Sequence, residues 1–186
     1  MNFRSSFSAL LFFFLLSTCK YTAAASWPYT EFYAAMQSSD TLKISSQLSA
    51  IEKSSLKEKD AYAGALMMRM SGLVKSGMDK LKIFKQGRVK LEQSIKQDSL
   101  NVEYRFLRLI IQEHIPDFMN YHSKKTEDAS MIRESFRKLQ PHLQEAIRDY
   151  SVHSHILKPG DFQKYRLLRI SQRLFQLKGM LWNMCR

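Results

Sequence analysis

The composition and the hydrophobic spacing of this chain predict an all-α protein. Glycine and proline are scarce, with six and four in 186 residues, and the chain after residue 25 is rich in leucine, lysine, glutamine, methionine and alanine, which favour helices. Apolar residues recur three or four positions apart in successive segments, as they do on one face of a helix. We therefore predict seven to eight helices, arranged as antiparallel helical hairpins in a stack or a compact bundle.

The first 25 residues have the layout of a secretory signal peptide. Arg4 precedes an unbroken apolar run over residues 10–16, and three small residues, Ala23 to Ala25, follow as a cleavage site. The apolar run is too short to span a bilayer comfortably. We therefore expect export to the periplasm, the cell envelope or the extracellular space, with residues 26–186 forming one all-helical domain.

A second interpretation of the same segment depends on Cys19. Leu16-Ser17-Thr18-Cys19 resembles a bacterial lipobox, in which acylation of the cysteine anchors the chain to a membrane. Free secretion, a lipoprotein anchored through Cys19 and an uncleaved anchor are the three alternatives. The other cysteine, Cys185, is next to the last residue, so stability must come from packing and not from a disulfide framework.

Capping residues and apolar spacing predict the first two helices. Residues 28–37 form a short helix with Pro28 at its start, and Asp40 caps the second helix. The apolar positions of these two helices are Phe32, Ala35, Met36, Leu42, Ile44, Leu48 and Ile51.

The third and fourth helices are predicted to form the centre of the fold. Ser55 and Glu58 have the spacing of a capping box, which predicts a third helix that ends just before Gly77. Its middle, residues 61–68, is apolar on every face, which is typical of a helix buried on all sides. The fourth helix is expected over residues 79–97. Its apolar face carries Leu81, Phe84, Gly87, Leu91 and Ile95.

The remaining helices are predicted from their starts. Asn101 caps a fifth helix, although the alternating residues 102–106 would also suit a strand. Thr126, followed by two acids, predicts another N-terminus, and Pro141 begins a further helix. A last helix follows the turn at residues 159–161. Its apolar stripe is Leu167, Ile170, Leu174, Leu177 and Leu181.

The segment from Gly87 to Asn101 resembles the second helix and exit of a tetratricopeptide repeat. Gly87 and Ser94 stand at the small positions of that family, Leu91 stands at its large apolar position, and residues 98–101 resemble its Asp-Pro-x-Asn turn. The resemblance covers about half of one repeat. It implies a stack of helical hairpins that binds partners on a concave face and performs no chemistry.

A surplus of basic residues is the main functional signal, with a formal net charge of +12. Such charge attracts anions at long range, although a solvated face without a partner is the alternative. Because export separates the chain from nucleic acid, we expect an acidic protein, an anionic lipid head group or an acidic polysaccharide as the partner. Insertion into a membrane is expected only through an acylated Cys19. The basic residues of the fourth helix are Lys80, Lys82, Lys85, Arg88, Lys90 and Lys96. The expected contact residues are Arg166, Arg169 and Arg173, with Tyr104, Arg105 and Arg108 as secondary candidates.

Sequence motifs for catalysis are missing. There is no Gly-x-Ser-x-Gly elbow, P-loop or dinucleotide-binding fingerprint. Methionines near residue 70 are interpreted as core filling and the five histidines lack a ligand motif, so neither a metal nor another cofactor is expected. An enzyme would require Glu113 and His114 to meet His153 or His155 in one pocket. We therefore predict a non-enzymatic binding or scaffold module, with an enzyme or a structural lipoprotein as the alternatives.

Overall fold

The computed structural model describes residues 27–162, in which every regular element is a helix. No strand occurs in this part of the chain, so the all-α prediction is confirmed there. Two 3-10 helices, Asp117–Met119 and Phe136–Lys138, accompany seven complete α-helices in the same range, and residues 160–162 are also α-helical. The α-helices are α1 Tyr29–Gln37, α2 Thr41–Lys53, α3 Lys59–Ser71, α4 Gly77–Gln97, α5 Val102–His114, α6 Lys125–Ser135 and α7 Pro141–Ser151. The expected signal peptide, Cys19 and the leucine stripe of the last helix lie outside the described residues.

Asp40 caps α2 as predicted. Its carboxylate accepts hydrogen bonds from the backbone N–H groups of Leu42 at 2.8 Å and Lys43 at 3.4 Å. Ile44 and Ile51 are fully buried, but Leu42 is 78 % exposed, so its expected place in the core is wrong. Residues two apart point to nearly opposite sides of a helix, and Ile44 takes the side that faces the core.

The third helix begins later than the sequence predicts. α3 starts at Lys59, and its N-cap Glu58 makes no side-chain capping bond, so the capping box with Ser55 is wrong. Ser54 explains the difference, because its hydroxyl donates to the carbonyl of Ile51 at 2.7 Å and closes the end of α2. The residues between then form the connection to α3.

The end of α3 also differs from the prediction. α3 stops at Ser71, with Gly72 as its C-cap. Gly77 is instead the first residue of α4, where the Ser76 hydroxyl accepts a hydrogen bond from the Asp79 N–H at 3.4 Å. A five-residue connection therefore separates two helices that the sequence alone would have placed two residues apart.

α3 and α4 form a closely packed antiparallel hairpin at the centre of the structure. A Cβ atom added to Gly64 of α3 would lie 2.6 Å from the carbonyl oxygen of Gly87 in α4, and the reverse distance is also 2.6 Å. Nearer the start of α3, Lys90 pairs with Asp60 at 2.7 Å. Residues 61–66 are all buried, as predicted for a central helix. α3 contacts α1, α2, α4 and α5.

The residues predicted to start α5, α6 and α7 are confirmed for α5 and α7 and wrong for α6. The Asn101 side chain accepts from the N–H groups of Glu103 at 3.1 Å and Tyr104 at 3.3 Å, and residues 102–114 form a helix rather than a strand. Pro141 is the first residue of α7. Thr126 is not a cap, because α6 already begins at Lys125.

The odd-numbered helices run parallel, with their N-terminal ends together. Tyr29 packs against Tyr62 near the starts of α1 and α3, and Arg69 donates to the carbonyl of Met36 near their ends. α5 and α7 are aligned in the same way, since Glu103 lies near His142 at their starts and Glu113 near their ends bonds residues after α7. Their side chains form most of the core. Across all the described residues, the largest fully buried side chains are Tyr62, Phe32, Phe106, Phe136, Phe162, Ile44, Ile51, Leu66, Leu91, Leu107, Leu109 and Ile132.

Candidate functional site

A basic stripe runs along the side of α4 that faces away from the core. Phe84, Gly87, Leu91 and Ile95 point inward. On the opposite side, residues spaced four and three apart are all exposed and share one face. This outer stripe of α4 consists of Met78, Lys82, Lys85, Val89, Gln93 and Lys96. Its 18 residue steps cover about 27 Å of helix axis, and it contains three lysines and no acid.

The lysines of the outer stripe are not neutralised by the described part of the protein. Lys82, Lys85 and Lys96 form no ion pair with any residue between 27 and 162. The same holds for Lys80, which is exposed near the start of α4. Lys90, by contrast, is engaged by Asp60 on the other flank of the helix. The lysine ammonium groups along the outer stripe are therefore accessible to solvent and to a partner.

Lys90 and Asp60 belong to a separate groove on that other flank. The groove has a volume of about 200 Å³ and lies between α2, α3 and α4. Glu52 and Lys59 also line it, so acids and bases balance there. The groove therefore lacks the excess of one sign that distinguishes the outer stripe.

Large apolar side chains are exposed on α4 and on the connection that packs against it. Met78 is 86 % exposed and Val89 is 54 % exposed, and Leu81 flanks them. Phe118 is 79 % exposed on the connection between α5 and α6, three residues before Tyr121. This connection packs against α4, because the Tyr121 ring lies edge-on to Phe84 at 6.0 Å and beneath the Arg88 guanidinium at 4.4 Å. Leu81, which the sequence places on the apolar face of the fourth helix, is 43 % exposed, and the exposure of Met78, Val89 and Phe118 was not predicted.

The carboxylate of Glu92, on α4, is turned toward the protein interior. Glu92 accepts a hydrogen bond from Arg108 at 3.0 Å and another from the Tyr121 hydroxyl. Burial and the bond to Glu92 raise the pKa of Tyr121 well above its usual value. The carboxylate of Glu92 is thus occupied by internal donors and does not screen the outer stripe.

Arg105 and Arg108 were expected on an exposed helix face, and that expectation is wrong. Arg105 is 9 % exposed and Arg108 is 4 % exposed. Both bind the fully buried carboxylate of Asp128 in α6, Arg105 at 3.1 Å and Arg108 through two bonds of 2.7 Å. Glu127 adds a bond of 2.8 Å to Arg105. Acids on neighbouring helices thus allow these cations to be buried.

The hydrogen bonds of this internal network stabilise the charged form of Arg108. Burial by itself lowers the pKa of Arg108, but its bonds to Asp128 and the nearby charge of Glu92 outweigh burial and raise that pKa above the usual value. The two arginines therefore hold α5 against α6 and contribute nothing to the basic surface.

Tyr104 also lies in the interior, at 5 % exposure, against the expectation of an exposed aromatic contact. Burial, together with the charges of Glu58 and Asp98, raises its phenol pKa to about 12. It faces the core because α5 is buried on most of its circumference. The primary candidates Arg166, Arg169 and Arg173 lie outside the described residues.

Glu113, one of the groups that the enzyme alternative requires, is engaged by structural hydrogen bonds. Glu113 accepts from the hydroxyls of Tyr150 at 2.7 Å and Ser154 at 2.6 Å, and from the N–H groups of His155 at 2.8 Å and Ile156 at 3.1 Å. Its carboxylate thus holds the turn that follows α7. The imidazoles of His114, His153 and His155 are on exposed residues.

A second polar cluster gathers where the odd-numbered helices begin. The Tyr33 hydroxyl donates to Glu103 at 2.8 Å, and the His142 ring stacks on Tyr29 at 3.6 Å. His142 Nε2 lies 4.0 Å from Glu103 and has no hydrogen-bond partner among the described residues. Burial and the charge of Glu103 raise the pKa of Tyr33 well above its usual value. These groups tie α1, α5 and α7 together.

Comparisons with known proteins do not constrain the function further. No protein-family model matches the chain, and neither a curated protein nor a solved structure is significantly similar to it. Among residues 27–162, no three His, Cys, Asp or Glu side chains are arranged to hold a metal ion. No helix in the same range combines the length and apolar character needed to cross a bilayer.

Proposed function

We propose that this protein is an exported, non-enzymatic helical binding module whose outer stripe of α4 contacts an acidic partner. The observation that carries the proposal is the positive charge of Lys82, Lys85 and Lys96, which share one exposed face of α4 and form no ion pair with any of residues 27–162. Fixed charges in such a row raise the rate of encounter with an anion and favour its retention.

The distribution of the other cations supports the choice of this surface. Arg105 and Arg108 are used inside the protein, where Asp128 and Glu92 compensate them. Arg133 pairs with Asp161 at 2.8 Å. On α4, by contrast, the charges of Lys82, Lys85 and Lys96 are directed outward.

The proposal of a binding scaffold also has support from the helical architecture. Gly87, which the resemblance to a tetratricopeptide repeat places at a small position, lies at the close contact with Gly64. A rigid hairpin of α3 and α4 holds the lysines at fixed spacing, and such hairpins commonly serve as supports for partner binding. Membership of that repeat family and the exported location remain part of the proposal.

Retention on an immobilised polyanion tests this function. The gene is expressed in full, and the protein that results after any cellular processing is purified. This protein is bound to immobilised dextran sulfate and eluted with a salt gradient. The variant Lys82→Gln/Lys85→Gln/Lys96→Gln is expected to elute at clearly lower salt, because three unscreened contacts are lost. Exposed positions make an effect on folding small.

A matched control separates a local surface from net charge. Lys43→Gln/Lys53→Gln/Lys57→Gln removes the same charge from exposed positions in and after α2. It is expected to shift elution much less than the α4 variant. Equal shifts for the two variants would mean that only overall charge matters, and the proposed surface would have to be abandoned.

A further inference from the structure

We infer that the outer stripe of α4, together with Phe118, docks on the surface of an anionic lipid bilayer. The inference rests on the proposed function and specifies its partner. Lys82, Lys85 and Lys96 contact the phosphate groups of lipid heads, while the exposed apolar side chains enter the interface to a shallow depth. α4 lies along the membrane and does not cross it.

The shape of the surface favours a planar partner. The outer stripe is the convex side of one helix and extends for about 27 Å. The groove that borders α4 lies on the flank that carries Lys90, where ions are balanced, and not along the stripe. A bilayer presents a continuous field of anions, so a linear row of cations can be matched over its whole length without a complementary pocket.

The residue types point in the same direction. The cations of the stripe are all lysines, which are depleted in protein–protein interfaces and enriched on the polar faces of helices that bind membrane surfaces. A long lysine side chain places its ammonium among head groups while its methylene chain remains against apolar material. An acidic protein would be matched more specifically by arginine, whose guanidinium binds carboxylates through two bonds.

The exposed apolar residues supply a second and independent observation. Met78 is 86 % exposed and Phe118 is 79 % exposed, although both could have been polar without loss to the core. Phe118 is carried by the connection that Tyr121 fastens to Phe84 and Arg88 of α4. An exposed aromatic ring on a segment that packs against α4, and an exposed thioether within the stripe, supply with the lysines the residue types that bind a charged interface.

Vesicle binding tests the inference with the full-length protein as the cell processes it. The probes are phosphatidylcholine vesicles with and without phosphatidylglycerol, and bound protein is measured by flotation. Binding is expected only with phosphatidylglycerol and is expected to weaken as salt rises. The variant Lys82→Gln/Lys85→Gln/Lys96→Gln should reduce the partition coefficient by about 100-fold, which is about fivefold for each lysine.

A second variant separates lipid from other acidic partners. Met78→Ser/Phe118→Ser keeps every charge and is expected to lower vesicle binding by about tenfold, with unchanged retention on dextran sulfate. Leu42→Ser/Val152→Ser is the control, because these residues are 78 % and 65 % exposed on other elements. It should leave both measurements unchanged.

The outcomes distinguish the inference from the function on which it rests. Suppose that the lysine variant loses retention on dextran sulfate but that the parent protein does not bind anionic vesicles. The proposed function then stands, and the partner is an acidic protein or polysaccharide. If vesicle binding does not respond to Met78→Ser/Phe118→Ser, docking through these side chains is refuted. If the lysine variant changes neither measurement, both proposals fail.

Discussion

Gly64 and Gly87 are the closest point between the two central helices. The added Cβ of either residue would lie 2.6 Å from the carbonyl oxygen of the other, a distance that real Cβ atoms do not adopt. The obstacle is backbone on both sides and cannot be moved by a change of rotamer. The axes of α3 and α4 can approach this closely only because both positions lack a side chain, and the contact in turn fixes the position of the lysine-bearing face.

Alanine at either of these glycines is therefore expected to destabilise the protein. Gly64→Ala or Gly87→Ala should lower the free energy of unfolding by about 1–3 kcal/mol, because forced separation of α3 and α4 outweighs the better helix propensity of alanine. Urea denaturation measured by circular dichroism gives the values.

Gly77→Ala is the matched control for this substitution. A Cβ at Gly77 would meet nothing within 4 Å, and the residue is at the start of α4. This variant is expected to be neutral or to gain up to about 1 kcal/mol through helix propensity. A loss at Gly77 as large as that at Gly87 would contradict the close contact as the cause.

Asp128 is expected to be much more important for stability than its neighbour Glu127. Asp128→Asn removes the charge that compensates two buried arginines and should cost about 3–5 kcal/mol. Glu127→Gln also weakens a pair with Arg105, but Glu127 is 49 % exposed, so water can replace the bond and the cost should stay below about 1 kcal/mol. Urea denaturation of the two variants compares them, and similar losses would show that Arg105 and Arg108 do not depend on Asp128.

Local signals explain which parts of the fold could be predicted. Asp40 and Asn101 cap helices through their own side chains, and Pro141 restricts its own backbone, so each is visible within a few residues. Ser55 and Glu58 have the right spacing for a cap, but Ser54 ends α2 first and shifts the start of α3. The sequence pattern does not show whether Ser54 ends α2 or Ser55 caps α3, because the two serines are neighbours and either role suits their residue type.

Burial of charge could not be predicted, because it depends on residues far apart in the chain. Arg105 and Arg108 are basic residues on a helix, a pattern that usually indicates a solvated face. Their burial depends on Asp128, 20 residues beyond Arg108, and on Glu92 from the preceding helix. Distance in the chain also hides the pair of Lys90 with Asp60, which separates Lys90 from the other lysines of α4, and the contact of Gly64 with Gly87.

Buried tyrosines are expected to make the protein sensitive to alkaline pH. The pKa of Tyr104 is raised from 10.0 to about 12 in the folded protein, mainly by burial. The pKa values of Tyr62, Tyr121 and Tyr150 are also raised, for the same reason first. Above pH 10 the unfolded chain loses phenol protons that the folded chain keeps, so stability present below that pH falls as pH rises.

The variant Tyr104→Phe tests this pH dependence. It keeps the ring in the core and removes one titrating group, so its loss of stability between pH 9 and pH 11 should be smaller than that of the parent protein by about 1 kcal/mol. Urea denaturation at each pH provides the measurement, and phenolate absorbance reports whether the buried tyrosines ionise together with unfolding. An identical pH dependence in the two proteins would contradict the raised pKa of Tyr104.

Glu113 is predicted to act as a structural anchor for the end of α7. Glu113→Gln replaces one accepting oxygen with an NH2 group, so at least one of its four donors loses its partner, at a cost of about 1–3 kcal/mol. Glu113→Ala removes both oxygens, so the N–H groups of His155 and Ile156, which donate to Oε1, should also exchange hydrogen faster in that variant, which is a local effect. Glu145→Ala is the control, since Glu145 is an exposed residue of α7. If the His155 and Ile156 amides exchange at the parent rate in Glu113→Ala, the carboxylate does not hold this turn, and a different role for Glu113 would have to be considered.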